Sequence, residues 1–103
     1  MVAPTALSNG PTILECQVDF VVDAIEKLEK ESVRTIEPLE EAQMAWVYMI
    51  NDMSSKTLFP LTNSWWIGDN IPGKKVQMLT YIEGIARYEQ QCRETMDGWM
   101  EKL

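Results

Sequence analysis

The chain contains no histidine and only two cysteines, Cys16 and Cys92, in 103 residues. Without imidazole the common proton relays and catalytic triads cannot be assembled, and two thiols so far apart do not make a zinc site, so no metal centre is expected. Both cysteines read as small, reduced, apolar residues, with a long-range disulfide as the alternative. Glycine is scarce too. The five glycines, at positions 10, 68, 73, 84 and 98, cannot be spaced into the G-x-G-x-x-G turn that receives a dinucleotide pyrophosphate, so the chain is expected to hold no cofactor unaided. Basic residues are outnumbered: nine Lys and Arg against sixteen Asp and Glu leave a formal net charge of -7, which repels a phosphate backbone and excludes nucleic acid as a partner. Long apolar runs are missing, since none approaches the roughly 20 residues of a membrane span. The amino end also lacks the basic start and apolar stretch of a secretory signal. A cytoplasmic protein with no membrane span is the expectation.

What is present fits a single domain over residues 1–103. Residues 1–11, rich in Pro, Ala, Ser and Gly, read as an extended arm. Thr12 and Glu15 have the spacing of a capping box. The helix that follows carries Val18, Val21, Val22, Ile25 and Leu28 as its core stripe, with Glu26, Lys27, Glu29 and Lys30 on the wet side, and fades near Ser32. Pro38 suits the first turn of a second helix, where its missing amide does no harm, and Glu40 and Glu41 complement the dipole there. The stripe of that helix is Leu39, Ala42, Trp46, Met49, Ile50 and Met53, making residues 12–55 a helical pair. Periodicity then stops. Residues 56–74 read as a loop holding two prolines, two glycines and Trp65-Trp66, and loops of such length usually carry function. A long third helix is expected over 75–103, with Leu79, Ile82, Ile85, Tyr88, Cys92, Met96, Trp99 and Leu103 at helical steps. Val33 to Ile36 and Trp65 to Ile67 are short strand candidates. The fold class is mainly α: a compact bundle of about three helices with one long ordered Trp-containing loop and room for a short hairpin.

The apolar payload is large: Trp46, Trp65, Trp66, Phe59, Tyr48 and Tyr81, with Met44, Met49, Met53 and Met78. Trp46 and Met49 read first as core. Trp65 and Trp66, as neighbours on an extended loop, are expected on opposite sides, one packed inward and the other facing a cavity or partner. Asp69 and Glu83 read as solvated acids, yet a carboxyl held beside tryptophans could act as a proton donor.

The segment Thr62-Asn63-Ser64-Trp65-Trp66-Ile67-Gly68-Asp69-Asn70-Ile71-Pro72-Gly73-Lys74-Lys75 resembles the NADP-contacting loop of Baeyer-Villiger monooxygenases, whose pattern is roughly D-S-W-x-x-G-A-N-I-P-G-K. Ser8-Asn9-Gly10-Pro11, Ile36-Glu37-Pro38, Thr57-Leu58-Phe59 and Tyr81-Ile82-Glu83-Gly84 fall in that family's order as well. The resemblance covers nearly the whole chain and points to the carboxyl-terminal part of enzymes several times longer. It implies that Trp65 matches the tryptophan folding over the nicotinamide nucleotide, and that Asn9 and Pro11 match a segment near flavin and substrate. The family's FAD and NADPH domains, and its arginine beside the flavin peroxide, have no counterpart in these residues. Oxygen insertion is therefore not expected of the chain alone. Asp69 stands where the family has a small Ala, and Glu83 stands at the first glycine of a G-G pair. Both point away from NADPH as a ligand.

Two functions follow. The first is a cofactor-independent enzyme that confines an apolar, terpenoid or polyketide-like substrate for cyclisation or isomerisation, including pericyclic, Diels-Alderase-like chemistry. Its substrate-binding wall would be Trp65, Trp66, Asn9, Phe59, Trp46, Met49, Tyr81 and Met78, with Glu83 and Asp69 as candidate acids. This reading takes the chain, beginning at Met1, as a complete three-helix unit. The alternative is a non-catalytic accessory subunit or fragment of a flavin-dependent monooxygenase, docking on a flavoprotein partner. Either way, uncovered apolar surface leads to an expectation of a homo-oligomer.

Overall fold

The computed structural model describes residues 9–98. Its first helix, α1 (Gly10–Lys30), opens earlier than Thr12 and Glu15 implied. Asn9 is the N-cap: its side-chain carbonyl accepts from the Thr12 backbone N–H and hydroxyl, both at 3.4 Å, and Pro11 sits in the first turn, where no amide is required. Of the arm expected over residues 1–11, Gly10 and Pro11 are therefore helical, and residues 1–8 lie outside the described residues. The helix ends where expected. Ser32 takes the left-handed conformation (φ 55), and the Val33 and Ser32 amides return to the Leu28 and Glu29 carbonyls at 2.9 and 3.1 Å, the paired bonds of a Schellman turn.

Residues 33–39 run without regular structure, so the strand candidate from Val33 is not realised. Helix α2 (Glu40–Ser55) begins after Leu39, whose extended backbone (ψ 140) delays the start and leaves Pro38 outside the first turn. Glu40 and Glu41 do occupy that turn. Two short 3-10 turns follow, Phe59–Leu61 and Trp65–Ile67; the second replaces the other strand candidate. No strand, and so no hairpin, occurs among the described residues.

The largest departure lies in residues 75–84, which were expected to open the third helix and instead form no helix, running extended through Gln77 to Leu79 and bending at Thr80 and Glu83. Helix α3 is confined to Ile85–Asp97. Gly84, at φ 87 and ψ 167, occupies a backbone region that is essentially glycine's alone, and no helix can pass through it. Leu79 and Ile82 fell into step with Ile85 by spacing alone, whereas Met78, Thr80 and Tyr81 are the residues buried. Trp99 and Leu103, also assigned to that helix, lie outside the described residues.

The core is assembled from every element. Ile50 and Met53 of α2, Ile67 of the second turn, Met78 and Tyr81 of the extended segment, and Tyr88 and Cys92 of α3 form one cluster. Cys16 and Phe20 of α1, with Trp46, Met49, Phe59 and Ile82, pack against it. Tyr81 is its centre: the ring stacks on Trp46 at 5.9 Å and meets the edge of Tyr88 at 5.3 Å. The Lys27 ammonium, in the last turn of α1, donates to the Met96 carbonyl on α3.

Helix α1 is apolar over more of its circumference than this packing uses. Val18, Val21, Val22 and Ile25, most of the stripe expected to face the core, are 45 to 59% exposed together with neighbouring Leu14. Ile13, Cys16 and Phe20 instead face inward, about 150° around the helix at about 100° per residue.

Truncating Ile50, which is almost wholly enclosed, should cost about 2–5 kcal/mol in Ile50→Ala. Gly84→Ala should cost about 1 kcal/mol or more, because alanine must enter a positive-φ conformation. Urea unfolding followed by far-UV circular dichroism measures both.

Candidate functional site

The Trp turn is built by short-range hydrogen bonds. Thr57 receives the Phe59 amide on its hydroxyl at 3.2 Å and donates to the Ser54 carbonyl at 2.7 Å, tying the turn to the end of α2. The Ser64 hydroxyl accepts the Trp66 amide at 3.3 Å, and the Ser64 carbonyl accepts the Asp69 amide at 3.2 Å. Gly68 then closes the turn at φ 71, with Lys74 alongside: a Cβ at Gly68 would lie 3.6 Å from the lysine side chain.

The resulting site is a stack. Trp66 is half-buried and leans on Phe59 (5.9 Å, tilted), and Trp65 lies on Trp66 with ring centroids 4.2 Å apart and planes 21° from parallel. The outer ring, Trp65, is 55% exposed. The two indoles therefore do not point to opposite sides. They occupy a 3-10 turn, in which successive side chains step by about 120° rather than alternating as on an extended strand. Chemically the stack is a flat apolar face, supported from beneath, with the carboxylate of Asp69 and the ammonium of Lys74 on the same turn. Such a face suits a planar ring.

Of the other residues expected to bind substrate, Phe59 supports this stack, whereas Tyr81 and Met78 are closed into the core and Trp46, part-buried, packs against it. Met49 packs against the same core and its sulfur receives the Gln91 amide nitrogen at 3.2 Å. Asn9 is committed to capping α1. Glu83 is exposed and engaged twice, accepting the Tyr81 hydroxyl at 3.5 Å and pairing with Arg87 at 3.8 Å. Asp69 is exposed. The structure thus brings together Trp65, Trp66 and Phe59 with Asp69 at their turn, and separates them in role from the core set.

Asn51 went unread in the sequence. Its side-chain carbonyl accepts the Met78 amide at 3.0 Å while its amide nitrogen donates to the Val47 carbonyl at 2.9 Å. On the other edge of the extended segment, Gln77 and Leu79 donate to the Ile67 and Trp66 carbonyls at 3.0 and 2.9 Å. Asn51 is thereby a positioning residue for the stack. Its one sequence signal is a polar side chain on α2 between Ile50 and Met53.

A crevice of about 180 Å³ lies between α1 and α3, lined by Cys16, Asp19, Phe20, Asp23, Glu89, Cys92 and Arg93. Burial, then the neighbouring Cys16, pushes the Cys92 thiol up to about 11. Burial, then Glu89, raises Cys16. Tyr81 is pushed up to about 12 by burial and then by Glu83.

The residues do not fit a dinucleotide by themselves. At the amino end of α1, Pro11 has no amide and the Thr12 amide is already taken by Asn9, so no pyrophosphate cradle is offered there. The described residues include no group of three or more His, Cys, Asp or Glu placed to hold a metal, and no described helix is long and apolar enough to cross a membrane.

The raised thiol and phenol values make a stability prediction. Each of these groups keeps its proton in the folded state at a pH where the unfolded chain has released it, so their contribution is complete below about pH 9 and is lost as pH rises from there toward 12. Urea midpoints should therefore hold between about pH 7 and 8 and fall steadily above about pH 9. An unchanged midpoint at the alkaline end would show these groups to be solvated.

No family model matches the chain. It is 35% identical over 94 residues to the FAD-binding monooxygenase acrE of Aspergillus aculeatus, covering 91% of this chain and 16% of that protein. It is 42% identical over 81 residues to a Baeyer-Villiger monooxygenase of Pseudooceanicola batsensis, covering 79% and 15%. It is 35% identical over 95 residues to a cyclopentanone 1,2-monooxygenase of a Comamonas species, covering 92% and 17%. The chain spans about a sixth of the length of the curated relatives it matches.

Proposed function

The chain corresponds to the carboxyl-terminal portion of Baeyer-Villiger and related FAD-binding monooxygenases, and on that premise we propose that it is the closing segment of a flavin monooxygenase site. In this reading it docks on a dinucleotide-holding polypeptide and lays Trp65 over the nicotinamide side of the site. The observation that carries the reading is the exposed apolar stripe of α1, Leu14, Val18, Val21, Val22 and Ile25. A contiguous face of that kind marks a contact surface, and covering it contributes roughly 25 cal/mol per Å² of apolar area removed from water. The other five-sixths of the relatives is the natural cover.

FAD and NADPH, held by the docked polypeptide, would supply the oxidation. The residues of this chain exclude water and orient a ring. The anchored Trp65 offers a flat surface whose position is set from below by Trp66 and Phe59, and Lys74 adds a positive charge at the edge of the same turn. The closed packing of Met78 and Tyr81 favours this reading over confinement of an apolar substrate for cyclisation or isomerisation, which requires those side chains to line a cavity.

The test is a chimera in which these 103 residues replace the matching segment of the Pseudooceanicola enzyme. It should load FAD and oxidise NADPH in a ketone-dependent manner. Trp65→Ala should lower that rate or raise KM for NADPH about tenfold, corresponding to about 1.4 kcal/mol, with far-UV signal unchanged. Val18→Asp combined with Val22→Asp should abolish assembly of the site. A folded, FAD-loaded chimera indifferent to all three substitutions overturns the proposal.

A further inference from the structure

The crevice between α1 and α3 has no part in that reading, yet it brings together the only two cysteines of the sequence, 76 residues apart (92 minus 16). Cys92, buried on α3, belongs to the core cluster, and Cys16 on α1 packs against that cluster and lines the same crevice. Two helices distant in sequence thus bring both cysteines to the wall of one crevice.

We propose that Cys16 and Cys92 form a dithiol pair that a small neutral peroxide converts to a disulfide, clamping α1 onto α3. Cys16 is the more exposed of the two and takes the first step. Its thiolate attacks hydrogen peroxide, the O–O bond breaks, and the products are a Cys16 sulfenic acid and hydroxide, which collects the thiol proton to become water. The Cys92 sulfur then attacks the sulfenic sulfur: the S–S bond forms, the S–O bond breaks, and the departing hydroxide takes the Cys92 proton as a second water. Overall two thiols are oxidised and one peroxide is reduced to two waters.

The lining decides which oxidant enters. Asp19 and Asp23 from α1 and Glu89 from α3 surround the sulfurs, opposed by Arg93 alone among the lining residues. This acidic rim repels anionic glutathione disulfide, which is also far too large for about 180 Å³, while an uncharged peroxide passes. The same rim and burial keep both thiols protonated near neutral pH, so the pair responds slowly and to sustained oxidant.

The experiment treats the full chain with dilute hydrogen peroxide, and separately with glutathione disulfide, followed by intact mass and by tryptic mapping without reductant. Peroxide should remove two hydrogens and join the peptide of residues 1–27 to that of residues 88–93. It should also raise the thermal midpoint by roughly 10 °C, reversibly with dithiothreitol. Glutathione disulfide should do so at least about tenfold more slowly. Cys16→Ser and Cys92→Ala should each lose the link and the midpoint shift; because methionine oxidation adds oxygen mass in all variants, it is told apart. Disulfide-linked dimers, sulfinic acids without a link, or thiols that stay reduced in the folded chain would each overturn the proposal.

Discussion

The structure depends on the extended segment around Met78, whose backbone donors are satisfied on both edges. Successive amides of an extended chain point in opposite directions. Gln77 and Leu79 therefore reach the carbonyls of Ile67 and Trp66 on one side, while Met78 between them reaches Asn51 of α2 on the other. A helix over the same residues would have turned these donors inward along its own axis and left the Trp turn without support. One extended span thus joins α2, the turn and the core, and it delivers Met78, Thr80 and Tyr81 into the interior.

That arrangement divides the aromatic residues into two sets with different work. Trp46, Tyr81 and Tyr88 make an inner set around the buried Tyr81 that links α2 to α3. Trp65, Trp66 and Phe59 make an open one, rooted in the core at Phe59 and reaching solvent at Trp65. The outer ring can be exposed without being loose, because the turn beneath it is capped by Ser64 and ended by Gly68. Helix α1 shows a similar division around its circumference: one face meets α3 through Cys16 and Phe20, and the far face, from Leu14 to Ile25, stays about half exposed. The Trp platform and the half-exposed apolar face of α1 are the two features on which the proposed docking rests.

Much of this was legible in residue order. The end of α1 and the acidic first turn of α2 follow from local signals such as charge placement, turn residues and period. Relation to the flavin monooxygenases rested on the Trp65 segment and is upheld by relatives aligned over most of the chain. Local signals failed where two patterns competed. Val76 to Ile82 satisfied a helical step at Leu79 and Ile82, while its extended state is stabilised by partners at Asn51, Trp66 and Ile67 that no window of neighbouring residues contains. Likewise the valine stripe of α1 reads as core by spacing, yet helix packing requires only one stripe, and Cys16 and Phe20 provide it.

The amino-acid order by itself determined the helical character of the chain and its kinship, because these rest on composition and on short motifs whose meaning does not depend on distant contacts. Tertiary structure decided which apolar face is buried, which tryptophan faces outward, and that two cysteines from opposite ends share one crevice. The reason is physical: burial and proximity are set by which surfaces compete best for the interior. That competition is settled among residues tens of positions apart, where periodicity carries no information.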